Sequence, residues 1–388
     1  MQYHFCIKMS YLLGVVMLVN VCATAQTLDN PSQEHRHAFS SAEEYRDRIE
    51  ALEALGTTDN LDEIERLSDE AIQQYPRDDY FYRQKMFICF LREDTIGILV
   101  YSEKAYDLNP NCKNASNFAQ SIAKFARIAH DQSDQSNIDV FARQYYNKGL
   151  ECTAIWLQSE EERLEALSIR GLLHHTFREY ELALTDFNDL IQLAELRNST
   201  NSENVSTVPY YYHRALTYQQ LGELDAAIDD LRVIIESGSF PSALRARAVI
   251  YYEKKAYQQA ITDSTQAVQL SSFKPEDYEV RGTCYRMLGD YNKAIADFQM
   301  LTKLLPEDFS IHLKLAILLV EDGRRDEAYA VAMHTRSLVS EGSSEYKYVD
   351  MFLVCLASKE STVPSVSSSN ALPETQPYTS ESLATESE

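Results

Sequence analysis

The most regularly spaced residues able to do chemistry are charged. Arg170, Arg214, Arg247 and Arg281 each precede an aspartate by sixteen positions, namely Asp186, Asp230, Asp263 and Asp297. A guanidinium beside a carboxylate makes two parallel hydrogen bonds, which is the chemistry of recognition and stability rather than of catalysis. If such pairs link two helices away from water, removing one partner costs about 3–5 kcal/mol, while replacing both by apolar side chains is close to neutral. The alternative is that the aspartates lie on a solvated face. At the same interval the chain also carries Ala51 with Leu67, Lys85 with Tyr101, and Leu315 with Val331.

Other candidates are sparse. His174 and His175 are adjacent, and neighbours on a helix point about 100° apart, a poor arrangement for sharing one metal. His35-Arg36-His37 reads as a surface loop, and DQSDQSNID over 131–139 lacks the glycine and closing glutamate of a calcium loop. Of seven cysteines, Cys6 and Cys22 lie near the start, while Cys89, Cys112, Cys152, Cys284 and Cys355 are scattered without a CxxC. That is neither a zinc pattern nor a disulfide framework, and small buried apolar side chains are the better reading. There is no GxSxG, no phosphate-binding glycine loop and no HExxH. No catalytic residue, metal ligand or cofactor site is therefore expected. The sequons at Asn114, Asn198 and Asn204 read as chance occurrences. A net charge of −23 argues against nucleic acid as a partner.

A repeat positions the charged residues. With only 11 glycines and 10 prolines in 388 residues, and much Ala, Leu, Glu, Gln and Tyr, the composition favours helix. The clearest unit is PEDYEVRGTCYRMLGDYNKAIADFQMLTKLLPED (275–308), two apolar-periodic helices around Gly289-Asp290. A small residue early in the second helix recurs at Ala183, Ala227, Ala260, Ala294 and Ala328, at intervals of 44, 33, 34 and 34. The excess in the first interval falls in NSTNSENVST (198–207), read as a loop insertion. Pro76 and Pro110, also 34 apart, close weaker units upstream.

These markers resemble the tetratricopeptide repeat family. The unit 275–308 supplies Tyr278, Gly282, Tyr285, Gly289, Tyr291, Ala294, Phe298 and Pro306, with Leu301 in place of a second alanine. The unit from 164 supplies Leu167, Gly171, Tyr180, Ala183 and Phe187; the next supplies Tyr211, Ala215, Tyr218, Gly222, Ala227 and Leu231. The unit from 241 supplies Leu244, Ala248, Tyr251, Tyr257, Ala260 and Ala267, and the one from 309 supplies Ala316, Leu319, Gly323 and Ala328. The resemblance covers 164–342 strongly and 45–160 more weakly, where Ile64 and Ile98 replace the alanine. It implies an all-α, right-handed superhelical solenoid in which stacking supplies the core that one helix pair lacks. Residues 343–360 would be a final capping helix.

Both ends differ in composition. Residues 1–25 carry Lys8, an apolar run and Ala23-Thr24-Ala25, the order of a secretory signal peptide cleaved before Gln26. Cys22 offers a lipid anchor as an alternative, although Val21 is large for the residue before such a cysteine. Residues 26–44 are a polar segment. Residues 361–388 are rich in Ser, Thr and Glu, a composition that does not order itself. No further stretch is apolar enough to span a bilayer. The ending of the leader points to export into a Gram-negative envelope, periplasmic or secreted.

The resemblance also implies a function: binding other proteins or peptides in a groove lined by the first helix of each pair. Carried over by repeat position, Arg83, Phe87, His175, Tyr212, Arg245, Tyr252, Glu279 and Arg286 would face that groove, with Ser168 and Gln219 beside them. Their Arg and Tyr content suits a binding surface. Plain solvent exposure without a ligand is the other reading. A lipid-anchored subunit of an envelope assembly, and an enzyme with its site in the divergent first half, are the rival functions.

Overall fold

The protein is described by a computed structural model covering residues 39, 41–55, 60–132, 138–200, 204–238, 240–271 and 274–357. The leader, most of the polar segment and the Ser/Thr/Glu tail lie outside the described residues. Within them every regular element is a helix, seventeen in all.

The chain divides into two compact units, residues 1–67 and 68–388. The first holds α1 (Ala42–Ala54) and the start of α2 (Leu61–Gln74). Ser41 caps α1 by accepting from the Glu44 N–H, and Tyr45, Ile49 and Leu52 form its buried stripe.

The second unit is a solenoid of stacked pairs: α3 (Asp79–Leu91) with α4 (Thr95–Leu108), α5 (Cys112–Gln132) with α6 (Ile138–Trp156), and α7 (Arg163–Thr176) with α8 (Tyr180–Ser199). There follow α9 (Val208–Gln220) with α10 (Leu224–Ser237), α11 (Pro241–Glu253) with α12 (Tyr257–Leu270), α13 (Pro275–Met287) with α14 (Tyr291–Leu304), and α15 (Phe309–Glu321) with α16 (Arg325–Ser337). The last helix, α17 (Ser344–Ala357), packs on α16. None of these helices is long and apolar enough to cross a membrane.

One local rule ends the first helix of six pairs. A single residue adopts positive φ, and the next N–H reaches back five residues, as in Asp290 N–H to the Tyr285 carbonyl at 2.9 Å. This satisfies a carbonyl that the helix end would orphan. Gly222, Gly289 and Gly323 fill the positive-φ position in three turns; Glu93, Arg178 and Lys255 fill it in the other three.

Close approach within a pair comes from small residues. A Cβ on Gly171 would lie 2.8 Å from a Phe187 ring carbon, and one on Gly282 would lie 3.1 Å from the Phe298 ring. Ala183, Ala227, Ala260, Ala294 and Ala328 are all fully buried. The insertion after α8 is shorter than the sequence suggests, because the helix continues through Asn198 and Ser199. Asn198 then closes the loop, donating to the Val205 carbonyl at 2.9 Å and accepting from its N–H at 2.7 Å.

Candidate functional site

The sixteen-residue interval spans one helix, its turn and most of a second helix, so it places an arginine of the first helix opposite an aspartate of the second. Arg214 donates to Asp230 through Nε and Nη2, both at 2.7 Å. Arg247 grips Asp263 at 2.7 and 3.0 Å, and Arg281 grips Asp297 at 2.9 and 2.7 Å. Arg170 reaches Asp186 at 2.6 Å. All four aspartates are buried. Burial lifts the Asp230 and Asp297 carboxyls above the usual carboxylate range despite the guanidinium hydrogen bonds. The same hydrogen bonds hold Arg170, Arg247 and Arg281 above the ordinary arginine value. Aromatic rings complete the setting: Arg214 lies over Tyr211 and Tyr218, Arg247 over Tyr251, and Arg281 over Tyr278, at 5.1–5.9 Å from the centroids. In α3 and α4 the equivalent contact is Lys85 over the Tyr101 ring, with Asp69 paired to the ammonium at 2.9 Å.

His174 extends the first of these pairs. Its Nδ1 is 2.7 Å from the Tyr146 hydroxyl, and its Nε2 is 3.6 Å from Asp186. Burial lowers its pKa below the ordinary value, against the pull of Asp186. A buried neutral imidazole of this kind is a structural bridge between α6, α7 and α8. No group of three metal-ligating side chains occurs among the described residues.

The residues assigned to a groove separate into two sets. Tyr212, Arg245 and Glu279 are buried, not exposed, because the first helix of the following pair packs over each of these three. Arg245 makes a bidentate pair with Asp277 of α13 at 2.7 and 3.0 Å, and Ser271 donates to the same carboxylate at 2.8 Å. Glu279 accepts from Lys314 of α15 at 2.5 Å. Tyr212 packs into the core between α9, α10 and α11. These three tie pairs together, and a ligand has no access to them in this structure.

The second set stays at the surface. Arg286 is exposed and paired with Glu321 at 2.7 and 2.5 Å. His175 and Tyr252 are half-buried, His175 with its Nδ1 3.0 Å from the Thr217 hydroxyl and Tyr252 beside the Tyr257 ring. Arg83 donates to Asp79 at 3.1 Å and lies over Tyr80. Phe87 is 44% exposed, and two residues outside the sequence assignment continue its stripe: Phe90 at 57% and Leu91 at 46%. Their spacing of three and four residues was the available signal, since a helix turns such positions to one side. Lys124 of α5 lies over the Phe90 ring at 5.5 Å.

Two sequons are occupied by structure. Asn114 is buried, its amide donating to Asp79 and to the Ala105 and Asn109 carbonyls, and Asn198 holds the loop described above. Neither amide is free for a sugar.

Two family models, each described as a tetratricopeptide repeat, match this chain, one over residues 212–275 and the other over 281–308. No curated protein matches it in sequence. Among solved structures, a tetratricopeptide repeat protein from Parabacteroides merdae is similar at 17% identity and a TM-score of 0.51, over 72% of this chain and 100% of the other. Yeast Tom70 gives 16% identity and a TM-score of 0.48, over 85% of this chain and 67% of its own. At 17% identity the first likeness is one of fold.

Proposed function

From a chain whose residues 212–275 and 281–308 are tetratricopeptide repeats, we propose that the protein is an exported, non-catalytic scaffold that binds peptide segments of other proteins on the first helices of its pairs. The observation that carries this reading is the α3 stripe. Phe87, Phe90 and Leu91 are exposed on a helix whose other side, with Phe81 and Ile88, is fully buried. Three large apolar side chains held together at a surface are costly to leave in water and mark an interaction site. Tyr252 and Arg286, on first helices further along, are the second place where a partner would meet the array. Export rests on the Lys8, apolar and Ala23-Thr24-Ala25 order of the leader.

The test is capture of envelope proteins by the full chain, compared with a Phe87→Ser/Phe90→Ser variant and a Tyr252→Ala/Arg286→Ala variant. Loss of the same captured proteins with either variant supports the reading; an unchanged set from both removes it. Mass spectrometry of the exported form reads the leader separately, with Gln26 as the expected first residue.

A further inference from the structure

We infer that the α3 stripe receives a short peptide segment bearing a bulky apolar side chain next to a carboxylate. This rests on the scaffold reading above and narrows it to one patch and one ligand chemistry.

The apolar half of the argument is geometric. Phe87, Phe90 and Leu91 stand at i, i+3 and i+4 on α3, so two rings and an isobutyl group share one side of the helix end. An aliphatic or aromatic side chain laid across them removes apolar surface from water on both partners.

The charged half comes from Lys124. The residue is half-buried, its ammonium lies over the Phe90 ring at 5.5 Å, and among the described residues no carboxylate pairs with it. Other well-covered lysines of this chain are matched: Lys85 by Asp69, Lys148 by Glu103 and Lys314 by Glu279. Among the described residues no acid close to the stripe in sequence pairs with Lys124: Glu93 is exposed, and two others are engaged elsewhere. Asp94 accepts from the Gly97 N–H at 3.0 Å and caps α4, and Asp79 is held by Arg83, Asn109 and Asn114. A partner carboxylate therefore has an open cation beside the apolar contact. The chain's net charge of −23 favours basic partners at long range. That field is screened beyond about 8 Å at physiological salt, so contact with Lys124 decides the preference.

Fluorescence polarisation on the full chain tests this, using two labelled decapeptides with the same Leu-Phe centre and either glutamate or lysine flanks. The glutamate peptide is expected to bind about tenfold tighter, the equivalent of ~1.4 kcal/mol. Phe87→Ser/Phe90→Ser should abolish binding, Phe90→Leu should retain it, and Lys124→Gln should erase the preference while a serine-flanked peptide still binds. Equal binding of the two flanks, or no response to the α3 variants, overturns the inference. Loss of binding only with Tyr252→Ala/Arg286→Ala overturns it too and leaves the scaffold reading standing. So does occupation of the stripe by the protein itself. A concentration-dependent dimer in sedimentation that Phe90→Ser dissolves would reveal a second copy. Tenfold tighter peptide binding by a chain ending at Ala357 would reveal the tail.

Discussion

The four pairs from α7 to α14 and the pair α15–α16 solve the same packing problem with different chemistry. In the former an arginine reaches across to a buried aspartate; in the latter Leu315 and Val331 hold the equivalent places. The surroundings change with the pair. Where Arg214 and Arg281 occur, tyrosines flank the guanidinium, whereas the last pair offers His312 and Leu319 at those repeat positions. The pair α3–α4, with Lys85 over Tyr101, is a third solution. The helix-to-helix contact is thus what the repeat requires, and the ion pair is one way of filling it. Once one member is present, however, the other becomes obligatory, because a lone buried charge has no water to replace its partner.

The largest effect expected follows from that asymmetry. Asp297→Val leaves Arg281 in a half-buried, aromatic setting and should cost about 3–5 kcal/mol in urea denaturation. Arg281→Leu with Asp297→Val copies the last pair and should fall within about 1 kcal/mol of the parent. If the double variant is as unstable as the sum of the singles, the two residues are not coupled and the comparison fails.

A second sixteen-residue relation runs beside the first and ranks next. Gly171 faces Phe187 and Gly282 faces Phe298, while Ala215 is matched with Leu231 and Ala316 with Ala332. Glycine accompanies the large ring, and alanine accompanies something smaller. Gly171→Ala should therefore cost about 1–3 kcal/mol, since its methyl meets a ring carbon at 2.8 Å. Adding Phe187→Leu, which reproduces the Ala215–Leu231 combination, should restore part of the loss. Equal stability of Gly171→Ala and the parent in the same titration would show that the ring yields freely.

These relations mark how far the sequence can be read. Helix pairs, turns and charged intervals are local, so Ala, Gly and Tyr markers spaced by 33 or 34 residues carry them. Contacts between successive pairs are less legible. Arg245 finds Asp277 at an interval of 32 and Glu279 finds Lys314 at 35, neither of which is a marker spacing. Their residue types suggested a wet groove, and only the crossing of the next helix makes them core. The reverse holds on α3, where Phe90 and Leu91 look like core residues by type and are exposed by position. Exposure in a stacked array is set by the neighbouring pair, which a position-by-position reading does not contain.

The first arginine–aspartate pair differs from the other three in having His174 against Asp186, and pH separates them. The groups facing that imidazole are Tyr146 from α6, Arg170 from α7, Asp186 from α8 and Glu179 at the N-cap of α8. Burial lowers the folded pKa below its ordinary 6.5, so the unfolded chain takes the proton first as pH falls. His174 therefore supports the fold fully above about pH 6.5, and that support is lost as pH falls through the folded pKa. One group changes the slope by at most about 1.4 kcal/mol per pH unit. Denaturation of the parent and His174→Gln between pH 5 and 8 should show a flatter acid limb for the variant. A parallel pair of curves would assign the acid sensitivity elsewhere.

The smallest effect concerns the turns that differ between pairs. Lys255 and Gly289 occupy equivalent places with φ of 60° and 76°. Left-handed backbone strains any side chain with a Cβ, while glycine adopts it freely at some cost in chain entropy. Lys255→Gly should therefore stabilise the protein by about 0.5–1 kcal/mol, and Gly289→Ala should destabilise it by a similar amount. A Cβ on Gly289 meets no atom within 4 Å, so the second variant reads backbone strain without a packing clash. The two changes convert each turn into the other's type, and opposite signs in one denaturation series isolate the backbone contribution. If both variants destabilise, Lys255 contributes through its side chain, and the equivalence of the two turns ends at their backbone geometry.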